Sequence, residues 1–187
     1  MTGIFRLPVT ACIGGRNYDL NTDYRDVLEI FSCLEDPDVP EYIRWQTAIE
    51  LFFNTSVPDK DLLEAANYLS WFIAGGQEAS ENSGPKLIDW QQDAAVIASD
   101  VNRVAGQEIR ALPYLHWWTF LSWFHAIGQG QLSTLVTIRS KLRQGKKLEG
   151  WERDFYRNNK SMVDLKNRYS ASEQARQSRL KEQLGFR

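Results

Sequence analysis

One stretch of this chain constrains its fold more than any other. Residues 115–124 read Leu-His-Trp-Trp-Thr-Phe-Leu-Ser-Trp-Phe, and on a helical wheel the large apolar side chains cover more than half of the circumference. Only Thr119, Ser122 and Ala126 form a narrow strip of small residues. A helix that is apolar almost all round is typical of the buried centre of a bundle, and an exposed docking helix is the alternative. We therefore expect this segment at the core of a helical protein.

Five other segments show the apolar period of an α-helix. They lie within residues 24–34, 42–53, 62–73, 90–104 and 132–142, and prolines, glycines or polar loops separate them. The sequence thus predicts an all-α fold, a helical bundle of about six helices.

Near the N-terminus the pattern changes to that of a β-hairpin. Two short runs, 6–13 and 16–20, flank Gly14 and Gly15, and a Gly-Gly pair suits the tight turn between antiparallel strands. Because an isolated hairpin is only marginally stable in water, we expect this one, within about residues 4–21, to lie on the helices.

The charges are distributed unevenly along the chain. Residues 1–138 contain 8 Lys or Arg and 18 Asp or Glu, a net charge of −10, whereas residues 139–187 contain 14 and 6, a net charge of +8. An acidic body with a basic end indicates a protein partner, either another copy of the chain or a different protein, although a solvated face is also consistent. Nucleic-acid binding is not favoured, because acidic residues interrupt the basic segment and its longest basic run is Lys146–Lys147.

The C-terminal segment also has its own apolar pattern. Alternating spacings of four and three residues, typical of a narrow coiled-coil seam, connect Trp151, Phe155, Asn158, Met162, Leu165 and Tyr169. We divide the chain into a helical body, 1–148, and a basic helical segment, 149–187, that projects from it. The seam packs either on its own body or on another chain. If it binds a partner, the candidate residues are Trp151, Phe155, Met162, Leu165, Tyr169, Lys146, Lys147, Arg153 and Arg157.

Residue types needed for most catalytic chemistry are scarce. The chain has two cysteines and two histidines, and it lacks the common phosphate-binding, nucleophile-elbow and paired-histidine zinc motifs. His116 and His125 face opposite sides of one helix, and His116 falls in the apolar arc, where we expect a hydrogen-bonded core histidine. We therefore expect no enzymatic activity, no cofactor and no metal. An uncharacterised enzyme or metal protein is the least favoured alternative.

One line of carboxylates and one apolar stretch need a separate interpretation. Asp89, Asp93 and Asp100 follow one another along the fourth helix and could hold a hard cation, but helix-dipole compensation on a solvated edge is the more usual explanation. Residues 112–127 are too few and too polar to span a bilayer. We expect a soluble protein that does not act at a membrane.

Several motifs together resemble one bacteriophage family. They are Thr22-Asp23-Tyr24-Arg25 after the hairpin, Asp89-Trp90-Gln91-Gln92-Asp93-Ala94 at the start of the fourth helix, Leu115-His116-Trp117-Trp118-x-Phe120, and Ile138-Arg139. The set resembles the bacteriophage gene-product-fifteen family of tailed phages and prophages, over roughly residues 1–165. Where relatives tend to carry a Gly-Ile-Asp-Leu-like stretch, this chain has Gly106-Gln107-Glu108-Ile109-Arg110, so we expect the loop before the aromatic helix to differ.

This resemblance implies a function in the phage tail. Genes of the family typically lie between those of the major tail protein and the tape measure, which implies a tail-assembly chaperone that binds the tape-measure or tail-tube protein non-covalently in the cytoplasm of the host. A structural tail or connector component retained in the virion is the alternative, and self-association of the chain is a further one. No catalytic residue follows from the resemblance.

Overall fold

The computed structural model describes residues 6–77 and 84–166. Within these ranges a two-stranded hairpin precedes eight helices. They are β1 (Thr10–Ile13), β2 (Arg16–Asp19), α1 (Tyr24–Leu34), α2 (Glu41–Phe53), α3 (Leu62–Ile73), α4 (Ala94–Ala105), α5 (Trp117–His125), α6 (Gln131–Arg143), α7 (Gly150–Asn158) and α8 (Lys160–Val163). The predicted helical fold class with a small N-terminal hairpin is confirmed.

The hairpin forms where the glycine pair predicts it. β1 and β2 are antiparallel, with Ile13 opposite Arg16, and Gly14 and Gly15 have φ angles of 56° and 75°. A two-residue hairpin turn of this kind requires positive φ at both positions, which glycine adopts without steric strain. The strands lie on the helices as expected, and the core takes up the side chains of Ala11, Ile13 and Tyr18.

A junction between residues 22–25 and 114–118 ties the start of the chain to its middle. Asp23 caps α1 by accepting the Arg25 N–H at 3.0 Å, and its other carboxylate oxygen accepts the Leu115 N–H at 2.9 Å. His116 caps α5, because its Nδ1 accepts the Trp118 N–H, while its Nε2 donates to the carbonyl of Pro8 at 3.0 Å. Burial of this imidazole lowers the pKa of His116. The expected hydrogen-bonded core histidine is confirmed.

The aromatic helix α5 contributes side chains to the core from one of its faces. It does not run through the centre of the core. Trp117 and Phe120 are fully buried, whereas Trp118 and Trp123 are only partly covered. The two indole N–H groups of Trp117 and Trp118 donate to carbonyls at the end of α3, at 3.0 and 2.9 Å, which satisfies helix-end acceptors. The prediction that this segment belongs to the core is right, but the expected burial on all sides is wrong, because α5 packs mainly on α4 and α1.

The described part of the C-terminal segment lies against the body. Val163 of α8 is 1% exposed and belongs to the hydrophobic core, and α8 packs on α6. Residues 149–166 therefore do not project, contrary to our expectation, because α8 contributes an apolar side chain that the body buries. Residues 167–187, the rest of the expected projection, lie outside the described residues.

Candidate protein-binding surface

The structure separates the predicted partner-binding residues into two environments. Phe155, Met162 and Leu165 are half-buried, the first two against the hydrophobic core. Solvent reaches the remaining described members, which are Trp151, Lys146, Lys147, Arg153 and Arg157. Tyr169 lies outside the described residues. The basic residues and one tryptophan are thus available to a partner, while most of the apolar seam faces the body.

The predicted seam does not form one continuous helix. α7 ends at Asn158, and Asn159 has φ −127° and ψ 31°, which is not helical. The Asn159 side-chain amide donates to the carbonyl of Phe155 at 3.0 Å, a local bond that competes with continuation of the helix. The break reorients the chain so that Val163, which the seam does not include, enters the core.

A buried arginine holds the C-terminal segment in place. The Arg139 guanidinium, on α6, forms a bidentate pair with Asp93 at 2.6 and 2.8 Å. Its other bonds go to main-chain carbonyls of Leu87 at 2.8 Å, Met162 at 2.7 Å and Val163 at 2.7 Å. Each of the five N–H groups of an arginine can donate once, so this set uses its full capacity. We call Arg139 and Asp93 the clamp.

Gln92, beside the clamp, binds the same segment through the main chain. Its Nε2 donates to the carbonyl of Asp164 at 2.9 Å, and its Oε1 accepts the N–H of Lys166 at 3.0 Å. Gln92 and Arg139 both bind backbone groups. They therefore fix the path of residues 162–166 independently of the side chains in that segment. A segment held in this way loses little conformational freedom when a partner binds to it.

A second ion pair anchors α7. Glu152 is 1% exposed, and one of its carboxylate oxygens lies 2.6 Å from Nζ of Lys141 on α6. The other oxygen accepts the N–H of Glu149 at 2.7 Å, as in a capping box. The hydrogen bond from Lys141 lowers the pKa of Glu152, so this carboxylate stays ionised. α7 is therefore fixed to α6 at its first turn.

These anchors leave one cationic patch without internal partners. We define the basic surface as Arg143, Lys146, Lys147, Trp151 and Arg153, at the end of α6, in the following loop and in the first turns of α7. None of its four cations forms an ion pair with any residue of the described ranges 6–77 and 84–166. Trp151 is 55% exposed. Tryptophan and arginine are enriched in protein interfaces whereas lysine is depleted, so Trp151 and the two arginines make this patch a candidate protein-binding surface.

The line of acidic residues at the start of α4 and along it stabilises the fold. Asp89, Asp93 and Asp100 are all buried, so the solvated edge expected from the sequence is wrong. Asp89 accepts the N–H groups of Gln91 and Gln92, and Asp100 accepts the N–H of Leu132 at 2.9 Å. Across residues 6–77 and 84–166, no cluster of three or more side chains that could bind a metal ion occurs.

Two of the cavities in the described part of the chain open to the surface. One, of about 230 Å³, is lined by Leu142, Arg143 and Leu165 and adjoins the basic surface. The other, of about 330 Å³, lies between the end of α3 and α5 and contains Ser122 and His125. The Ser122 hydroxyl donates to the carbonyl of Trp118 at 3.0 Å, a bond within the helix, rather than to an imidazole.

Sequence reasoning missed the residues that position this surface. The structural contacts of Arg139, Gln92 and Glu152 depend on partners 11 to 74 residues away. One signal was available: Gln92, Asp93 and Arg139 belong to the motifs on which the family resemblance rests. Two of the motifs that resemble the family thus also build the clamp.

The family model described as "Bacteriophage Gp15 protein" matches residues 5–165. The chain belongs to the bacteriophage Gp15 family. The match covers the hairpin, all eight described helices and the clamp. Membership makes this Gp15 protein a phage protein of a structural or assembly-related kind. No curated protein and no solved structure matches the chain. Among the described helices, none has the length and apolar character needed to span a bilayer.

Proposed function

We propose that this Gp15 protein is a tail-assembly factor that binds the tape-measure or tail-tube protein of its phage non-covalently in the cytoplasm of the host. The observation that carries the proposal is the basic surface, which the clamp and the Lys141–Glu152 ion pair hold rigidly while its cations remain uncompensated. Family membership supports a place in phage assembly, and the exposed Trp151 supports binding rather than a purely structural function of this end.

The chemistry of the surface suits an acidic, helical partner. Aromatic and arginine side chains contribute most of the binding energy in protein interfaces, and lysines steer an oppositely charged partner. A long helical protein can present acidic binding sites repeatedly along its length. Several weak contacts along one chain then give a higher overall affinity, because each contact raises the effective concentration of the next. This is the behaviour expected of a chaperone that keeps a long chain soluble until the tail tube encloses it.

Co-expression with the tail proteins of the same phage tests the proposal. Wild-type protein should co-purify with the tape-measure or tube protein and keep it in the soluble fraction. The variant Lys146→Glu/Lys147→Glu/Trp151→Ala should lose the partner and keep its own melting temperature, because all three side chains are exposed. The matched control is Arg16→Glu/Lys60→Glu/Tyr42→Ala, which makes the same change in charge and removes another exposed aromatic residue. Equal retention by both variants would refute the proposal.

Mass spectrometry of purified virions distinguishes the proposal from its alternative. An assembly chaperone is absent from the finished particle or present only in traces. If the protein is found at the stoichiometry of a tail protein, it is a structural tail or connector component instead.

A further inference from the structure

The cavity of about 230 Å³ beside the basic surface has apolar walls. Leu142 lines it from α6 and Leu165 from the segment after α8, and the buried Val163 also contributes. Leu142 is 38% exposed, so part of this wall is open to solvent. Since an engineered cavity of about 150 Å³ accepts benzene, this one has room for one leucine, methionine or phenylalanine side chain.

Two of the three charged residues that line this cavity are already bonded within the chain. All five N–H groups of Arg139 donate, to Asp93 and to main-chain carbonyls. Asp164 accepts the Tyr156 hydroxyl at 3.0 Å. The third, Arg143, is exposed and forms no ion pair with any residue that the structure describes. Its guanidinium is therefore available to a ligand at this cavity.

The end of α6 holds Lys146 next to the same cavity. The chain turns at Gly145, whose φ of 65° is the left-handed conformation that glycine adopts without strain. The Gly145 N–H donates to the carbonyl of Leu142 at 3.1 Å, and the Lys146 N–H donates to that of Lys141 at 2.9 Å. This pair of bonds folds the chain back onto the last turn of α6, which carries Leu142 and Arg143. The backbone of one surface lysine is thus fixed beside the apolar wall.

We propose that the basic surface and this cavity together recognise a short acidic segment of a protein partner, one apolar side chain of which enters the cavity. That side chain leaves water for a site with apolar walls, and the carboxylates around it pair with Arg143 and the surface lysines. Charge complementarity fixes the sign of the partner, because the cations of the surface have no counter-ion within residues 6–77 and 84–166. The recognition rests on the proposed function, which locates the site, and adds the kind of sequence that the site selects.

The walls of the cavity favour a protein over a nucleic acid. Proteins that bind single strands stack the bases on aromatic side chains, whereas the apolar walls here are aliphatic. A phosphate backbone would neutralise the cations but leave the cavity unfilled. An acidic protein segment satisfies both parts of the site.

Selection of short random peptides on the purified full-length protein tests this specificity without any tail protein. The enriched peptides should carry several Asp or Glu residues around one Leu, Ile, Met or Phe. In fluorescence anisotropy, replacing that apolar residue of the most enriched peptide by Ala should weaken binding roughly 10–100-fold, as expected for the loss of a buried apolar side chain. Added salt should also weaken binding, because exposed charges are screened.

Variants of the apolar wall test whether the cavity holds that side chain. Leu142→Gln makes the wall polar and should weaken binding of the selected peptide about 10-fold, whereas Leu142→Met should bind it as the wild type does. The matched control is Leu51→Gln, because Leu51, on α2, is 40% exposed and lies outside the site. This control should bind the peptide with unchanged affinity.

Charge reversal tests the other part of the site. Lys146→Glu/Lys147→Glu should bind the selected peptide roughly 100-fold more weakly, because it places like charges opposite one another. Arg16→Glu/Lys60→Glu makes the same change in net charge at exposed positions outside the site and should leave the affinity unchanged. Circular dichroism and thermal melting confirm that every variant is folded.

Several results would each overturn the proposed recognition. They are the enrichment of no peptide, enriched peptides without carboxylates or without an apolar residue, equal losses in the variants and their controls, and tighter binding of an oligo-dT strand than of the peptide at physiological salt. If the selection fails while the tail protein still co-purifies, only the recognition is wrong. If the selection succeeds and no tail protein co-purifies, the proposed function is wrong instead.

Discussion

Replacing Asp93 by asparagine should expose how much the clamp stabilises this protein. The Arg139 guanidinium is 3% exposed, and in Asp93→Asn it keeps three carbonyl acceptors but loses its counter-ion. A buried charge without its partner typically lowers the free energy of unfolding by about 3–5 kcal/mol. For a chain of this size each kcal/mol corresponds to about 2–4 °C, so we expect the melting temperature to fall by roughly 6–20 °C.

Urea unfolding followed by tryptophan fluorescence measures the loss, and Asp154→Asn is the matched control. Asp154 pairs with Arg157 at 2.9 Å, but both side chains are well exposed, so this variant should lose less than about 1 kcal/mol. In Asp93→Asn/Arg139→Met no unpaired charge remains, and the double variant should lose less than the sum of the two single variants. Strict additivity, or a loss from Asp93→Asn as small as that of the control, would refute the reasoning.

Three other perturbations test separate parts of the structure. Trp117→Ala should lower the free energy of unfolding by about 3–5 kcal/mol, and Trp118→Ala by less because its ring is partly exposed; equal losses would contradict the one-sided burial of α5. Because the pKa of His116 is lowered in the fold, below about pH 6.5 the unfolded chain binds a proton that the folded chain does not. The free energy of unfolding should therefore decrease as the pH decreases, by up to about 1.4 kcal/mol per pH unit. In pH-dependent melting, His116→Asn, which can keep the cap, should flatten that slope. Deleting residues 150–187 should lower the melting temperature of the body, because Arg139 then loses two carbonyl acceptors and the core loses an apolar side chain; an unchanged transition would show that this segment is independent.

The sequence was sufficient for the helices and the hairpin because their signals are local. The period of the apolar residues and the paired Gly14 and Gly15 determine the conformation of residues only a few positions away. The core position of His116 also followed from its place on one helical wheel. The extent of burial around α5 could not be predicted from the local sequence, because it depends on which other helices pack against α5.

The failures at the C-terminal end have the same cause. Val163 lies outside the spacing of the predicted seam, and only the presence of α6 beside it makes it part of the core. Glu152 looks like an ordinary surface carboxylate until Lys141 approaches it. The seam was a regular pattern, but Asn159 interrupts the helix on which that regularity depends. Long-range pairing decided each of these cases.

The junction between Asp23 and His116 sets the order in which a newly made chain can complete its fold. The bonds at this junction join residues 92 and 108 positions apart, so the junction closes only when the groups at the start of α5 have been translated. At typical speeds of about 5–20 residues per second, a bacterial ribosome needs roughly 5–20 s to supply them. During that interval the hairpin can contact α2 and α3 but lacks the junction, so a chain that stalls before α5 is one that cellular proteases should recognise.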